Sequence, residues 1–247
     1  MTLTENKFKN YHSYIVMEAK VKDMKNKHFL SLIRKALVGA LLITTTAPVL
    51  AANSFTANAD YTVKYGSNAQ ARLDRLNVLM AKHANSPIET KLIVVNDFFN
   101  AFAYREDSDL WGQHDYWASL NEFLGVGMGD CEDYAIAKLE VLTRMGVDKE
   151  KLRLIYTTAN GTTPHMVLGY YSNKSTRPLI MDNIQNEVLS MYVRVDLKQV
   201  YSFNDTGVWV IVNGKSKFAG NSKRLSLWGD VNTRTAMRLP TENYKII

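Results

Sequence analysis

The chain has 247 residues, 46% of them hydrophobic and 22% charged, a balance that excludes a disordered or fibrous protein and permits one substantial domain or two small ones. Its net charge of +6 is unevenly placed: residues 1–51 carry Lys7, Lys9, Lys20, Lys22, Lys25, Lys27, Arg34 and Lys35 against Glu5, Glu18 and Asp23, while the remainder has 22 basic and 21 acidic residues. No field of one sign covers that remainder, so nucleic-acid binding is disfavoured.

The basic stretch ends at Arg34-Lys35, and an uncharged run from Ala36 to Ala51 follows. That run has the length of a secretory apolar region and is short for a spanning helix. Pro48 and the small residues Ala51-Ala52 suit a signal peptidase, so residues 1–51 are read as a signal peptide cleaved near Ala51 or Ala52. The alternative is an uncleaved anchor. The basic part is unusually long, and Met24-Lys-Asn-Lys offers a more ordinary start. Export gives the cysteine count its meaning. Exported proteins commonly use cysteines in pairs, whereas this chain has only Cys131, which must be buried or used.

No linker divides residues 52–247, which are read as one domain. Asp60-Tyr-Thr-Val-Lys-Tyr-Gly66 reads as a loop or edge strand. From Asn68 to Ala84 the spacing of Ala71, Leu73, Leu76, Leu79 and Met80 predicts an amphipathic helix. Ser86-Pro87 supplies an N-cap and a first-turn proline, with Glu89 in capping-box position, for a helix reaching about Phe102. Its expected buried face holds Leu92, Ile93, Val95, Phe98, Phe99 and Phe102. Residues 104–130 read as an aromatic and polar connection ending in Gly125-Val-Gly-Met-Gly-Asp130. A third helix runs from Cys131 to Met145, with Ala135, Leu139, Leu142 and Met145 inward and Gly146 as its stop. Five β-rich runs follow: Leu152–Thr158, His165–Tyr171, Pro178–Asp182, Val188–Val195 and Val208–Asn213. Helices first and strands afterwards predict an α+β domain on an antiparallel sheet.

Cys131 stands where a glycine-rich loop becomes a helix. Unpaired N–H groups and the positive dipole end favour a thiolate there and can hold an oxyanion. A nucleophilic thiol needs a base, and the base an orienting group. His165 opens an apolar strand after Gly161-Thr-Thr-Pro164, at an expected sheet edge, and Asp182 closes the next strand. Antiparallel neighbours can set the two side by side, which would fix the imidazole tautomer. Each residue alone has an ordinary explanation: a core cysteine, a structural histidine, a turn-forming aspartate. Asp130, Glu132 and Asp133 oppose a thiolate, each by about 2–3 kcal/mol at roughly 5–7 Å and an effective dielectric near 20. A bound cation would relieve this, and an oxygen-rich cluster favours calcium, with a plain acidic helix end as the alternative.

Gly129-Asp130-Cys131-Glu132-Asp133-Tyr134-Ala135, His165-Met166-Val167-Leu168 and Met181-Asp182-Asn183 resemble the bacterial transglutaminase-like cysteine proteinases of the LapG type. The likeness spans about residues 60–215 and includes the order and gaps of Cys131, His165 and Asp182. It implies a papain/transglutaminase-like fold with Cys131 as nucleophile, His165 as general base and then acid, and Asp182 as orienter. It implies calcium dependence, with Asp130 and Glu132 as ligands and Asp133 and Asp115 as weaker candidates. It implies a periplasmic endopeptidase that cuts a large surface adhesin near paired small residues, releasing it and dispersing a biofilm. A membrane receptor of the LapD type, responding to cyclic di-GMP, would sequester the enzyme. Asn183 can bond the triad from outside or form a turn, and Gln113, Trp111 and Trp117 are candidates for a second oxyanion donor. A transglutaminase or amidase using the same triad, and a non-catalytic binding module, are the alternatives.

Overall fold

The computed structural model describes residues 54–56, 59–172 and 177–238. The expected signal peptide, its cleavage point and the Met24 start lie outside the described residues. None of the described helices is long and apolar enough to cross a membrane.

The chain begins with α1 (Ala59–Tyr65), where a loop or strand was expected. Tyr61 and Tyr65 meet one turn apart at 5.1 Å between ring centroids, and Tyr61 is buried in the core. That packing outweighs the β preference of Tyr-Thr-Val. Helix α2 (Ser67–Lys82) buries Ala69, Leu73, Leu76 and Met80, while Ala71 faces solvent. Helix α3 (Ile88–Asn100) starts with Pro87 itself at the N-cap, one residue later than expected, because the Ser86 hydroxyl pairs with His83 Nδ1 at 3.2 Å. Leu92, Val95 and Phe99 are buried, Phe98 and Phe102 partly so, and Ile93 is exposed.

The stretch read as a connection contains β1 (Ala103–Tyr104), the single turn α4 (Asp107–Leu110), α5 (Leu120–Val126) and β2 (Met128–Gly129). Helix α5 opens with a complete Ser119–Glu122 capping box and stops at left-handed Gly127. Strands β1 and β2 pair in parallel, Ala103 with Met128 and Tyr104 with Gly129. Helix α6 (Cys131–Arg144) follows at once, buries Ala135, Val141 and Leu142, and ends before Gly146.

Seven strands then form one antiparallel sheet: β3 (Leu152–Ala159), β4 (Thr163–Tyr170), β5 (Leu179–Met181), β6 (Leu189–Ser190), β7 (Leu197–Asn204), β8 (Gly207–Val212) and β9 (Lys215–Gly220). Their spatial order is β6-β5-β4-β3-β7-β8-β9. Alternate residues divide the faces. Leu154, Met166, Leu168 and Phe203 join the helices in the main core, whereas Ile155, Val167 and Ile180 form a smaller cluster. His165 is the third residue of β4, an inner strand, and not at an edge as expected. Only Leu189–Ser190 of the fourth expected strand is extended; the ladder there ends in turns. A last helix, α7 (Ser226–Arg238), inserts Trp228 and Val231 into the core. The resulting helices on an antiparallel sheet are the predicted α+β class.

Gly129 is the tightest point ahead of α6. A Cβ there would stand 2.5 Å from Asp133 Oδ2 and 2.9 Å from the Phe123 ring. Gly129→Ala is expected to destabilise the protein by about 1–3 kcal/mol through overpacking, read as a lowered midpoint in urea denaturation. An unchanged midpoint would show that α5 and α6 do not close on this residue.

Candidate active site

Cys131 is the first residue of α6, and its half-buried sulfur accepts from the backbone N–H of Met166, next to His165 on β4. Asp182 comes directly after β5, the antiparallel neighbour of β4 in which Met181 faces Leu168. His165 Nε2 and Asp182 Oδ1 are 2.8 Å apart. A carboxylate only accepts, so Nε2 carries a proton, and in the neutral ring that makes Nδ1 the acceptor. Cys131 and His165 both line a groove of about 490 Å³ walled by Trp117, Tyr156, Tyr201 and Leu225.

Asp182 is held on every side. Its Oδ1 also accepts from Ile184 N–H at 3.0 Å, its Oδ2 accepts from Arg194 Nη2 at 2.7 Å, and its carbonyl accepts from Asn100 Nδ2 at 2.8 Å. Burial alone would raise this carboxyl, but His165, Ile184 and Arg194 together hold it at about 2. Behind it Lys138, only 1% exposed, donates to Asn100 Oδ1 at 2.7 Å. Burial brings the Lys138 ammonium down to about 7, against the opposing pull of Asp182 and Asp97. Arg194, Asn100 and Lys138 were not foreseen from sequence. No local pattern marks a residue that reaches a site from another element.

The acidic flank has a membership different from the expected one. Asp130, Glu132 and Asp107 each place a carboxylate oxygen within 4.8 Å of the others. Asp107 arrives because the β1–β2 pairing lays the start of α4 beside the start of α6. Asp133 lies outside that group, its Oδ1 accepting from Ala118 N–H at 2.7 Å and its buried Oδ2 without a partner, and Asp115 accepts from the Trp117 indole at 3.0 Å. Asp130 sits at the N-cap yet makes no capping bond. Burial, with Glu132 and Asp107 nearby, raises Asp130 to about 9, and burial raises Glu132 to about 7. Burial also pushes the Cys131 thiol up, with the Glu132 carboxylate and Asp130 adding to it, and the thiol donates to Glu132 Oε2 at 3.0 Å. The helix end does not by itself yield the expected thiolate.

Two buried oxygens of this cluster, Asp107 Oδ1 and Asp130 Oδ1, have no hydrogen-bond partner. Unpartnered buried carboxylate oxygens converging with Glu132 suit a hard divalent cation. Of the residues considered as oxyanion donors, Trp117 lines the groove but commits its indole N–H to Asp115. Neither Trp111 nor Gln113 lines the groove, and Asn183 Oδ1 is buried without a partner, so it does not brace the triad through that atom.

Residues 55–217 match the sequence pattern described as bacterial transglutaminase-like cysteine proteinase. No curated protein matches the chain in sequence. Among solved structures, EGTA-treated LapG of Legionella pneumophila superposes with a TM-score of 0.64 at 35% identity, covering 71% of this chain and 94% of that one. Calcium-bound LapG of the same organism gives 0.63 at 33% identity, covering 71% and 96%. With a cysteine, a histidine–aspartate pair and this fold in place, the chain belongs to the bacterial transglutaminase-like cysteine proteinases and is a LapG-type cysteine protease.

Proposed function

We propose that this protease is a calcium-dependent periplasmic endopeptidase of narrow specificity, with Cys131 as nucleophile, His165 as base and acid, and Asp182 as orienter. The observation that carries the reading is the 2.8 Å His165–Asp182 bond beside a helix-start cysteine, both facing one groove. Nδ1 of His165 takes the thiol proton as sulfur attacks the scissile carbonyl carbon. The carbonyl oxygen becomes an oxyanion facing the Cys131 N–H at the start of α6. The imidazolium, stabilised by Asp182, gives its proton to the leaving amine as the C–N bond breaks. Water deprotonated by His165 then attacks the thioester, and the C–S bond breaks to regenerate the thiol.

Asp107, Asp130 and Glu132 would hold calcium, which when bound supplies positive charge that lets the neighbouring sulfur ionise. The flat walls of the groove, including the stacked pair Tyr156 and Tyr201 at 5.2 Å, suit an extended peptide with small side chains. A segment with paired small residues in the N-terminal, periplasm-facing region of a large surface adhesin fits that description. Release of the adhesin would promote biofilm dispersal. A LapD-type receptor answering to cyclic di-GMP would control access by sequestering the protease. The likeness to LapG supports this setting.

Incubating the mature protein with extracts of its own cell surface, and sequencing what is released, tests the assignment. Cys131→Ala is expected to lower release by roughly 10³-fold or more, and Asp182→Asn by less. Substantial release by Cys131→Ala would refute it. For the metal, EGTA is expected to stop release, and Asp107→Asn to raise the calcium needed for half-maximal release by roughly tenfold. A calcium response unaltered by Asp107→Asn would remove Asp107 from the ligand set.

A further inference from the structure

The Asp182 carboxylate serves two side-chain donors at once. Oδ1 faces His165, and Oδ2 accepts from Arg194 Nη2 at 2.7 Å. Arg194 is 6% exposed and Asp182 1%, so water does not screen the pair. Arg194 is itself gripped, its Nε 2.9 Å from Asp196 Oδ1 and its Nη2 2.7 Å from Asp196 Oδ2. One planar guanidinium thus links the triad aspartate to a second carboxylate two residues along its own turn. A lysine ammonium has no such fork.

The backbone of Asp182 does not depend on this link. Asn100 Nδ2 holds its carbonyl at 2.8 Å, and Met181 is paired with Leu168 in the sheet. What those contacts leave free is rotation of the carboxylate about its own bond. With only Oδ1 engaged, by His165 and the Ile184 N–H at 3.0 Å, the carboxylate could still turn about that one oxygen. With Oδ2 pinned by Arg194, it cannot turn without breaking a buried charge-assisted bond. The other charged groups near Asp182 are His165 on β4 and Lys138 on α6, the latter facing Asp97 of α3.

We propose that Arg194 is a positioning residue of the proteolytic site: it fixes the Asp182 carboxylate plane and through it the orientation of the His165 ring. This rests on the reading of Cys131, His165 and Asp182 as the catalytic set. Both can be tested on the calcium-loaded protein without a peptide substrate. One readout is the low-field proton NMR resonance of His165 Nε2–H, assigned by its loss in His165→Ala. The other is the rate of Cys131 alkylation by iodoacetamide. Arg194→Gln is expected to shift the resonance upfield or abolish it, and to slow alkylation roughly tenfold to a hundredfold. Arg194→Lys is expected to recover only part of both. Asp196→Asn, which loosens Arg194 while leaving it in place, is expected to move the resonance in the same direction by less, and serves if Arg194→Gln does not fold. A wild-type resonance and rate in Arg194→Gln, or in Asp196→Asn where only that variant folds, would overturn the proposal. Equal alkylation of wild type and His165→Ala would instead overturn the catalytic reading on which it rests.

Discussion

The first turn of α6 sets the proposed nucleophile, a sulfur that would have to ionise, beside carboxyl groups that oppose its doing so. A helix N-terminus favours an anion by about 0.3–1 kcal/mol, and up to about 2 in partly buried geometry. A unit negative charge at roughly 5–7 Å opposes it by about 2–3 kcal/mol at an effective dielectric near 20, and Glu132 Oε2 is closer, at 3.0 Å. Burial is the first cause that holds the thiol up, and Glu132 and to a smaller extent Asp130 add to it, so the helix end alone does not prevail. Their oxygens converge with those of Asp107, and two of them have no hydrogen-bond donor. A divalent cation bound there, as proposed, would resolve both conditions at once.

Much of the fold can be traced to delivering groups to that turn. The parallel β1–β2 pair lays Asp107 beside Asp130, and Gly129 lets Asp133 and Phe123 close on the loop ahead of Cys131. Antiparallel pairing of β4 with β5 sets Asp182 beside His165, and β4 offers the Met166 N–H to the sulfur. On the far side α7 reaches back: Arg234 donates to the Trp117 carbonyl and lies 4.3 Å over the Tyr116 ring. That helix lies beyond the 55–217 span shared with the family, yet it braces the connection that walls the groove.

Local signals in the sequence were informative where one residue type has one local job. The glycine-rich approach to Cys131 and the stop at Gly146 bounded α6, and the β-rich runs placed His165 and Asp182 on adjacent strands. Helix α5 was also legible, since Ser119-x-x-Glu122 is a capping box, but the aromatic surroundings masked it. Strand β7 was not, because Lys198, Gln199 and Val200 break the apolar alternation in the middle of the sheet. Helix α1 forms through contact with the core and not through its own propensity. Asp107, Asn100, Lys138 and Arg194 carry no local mark, since each acts across a distance in sequence that only the fold closes. The same limit explains why Asp133 and Asp115, near the site in sequence, were plausible ligands although the converging oxygens are those of Asp107, Asp130 and Glu132.

The account stands or falls on whether cation binding governs ionisation of one thiol. Its most direct test is the alkylation rate of Cys131 by iodoacetamide at pH 7, followed as calcium is titrated into metal-free wild-type protein. The rate is expected to rise and saturate with calcium by at least roughly tenfold, the equivalent of about 1.4 kcal/mol lifted from the thiolate. A rate indifferent to calcium, with the protein folded throughout, would contradict the account.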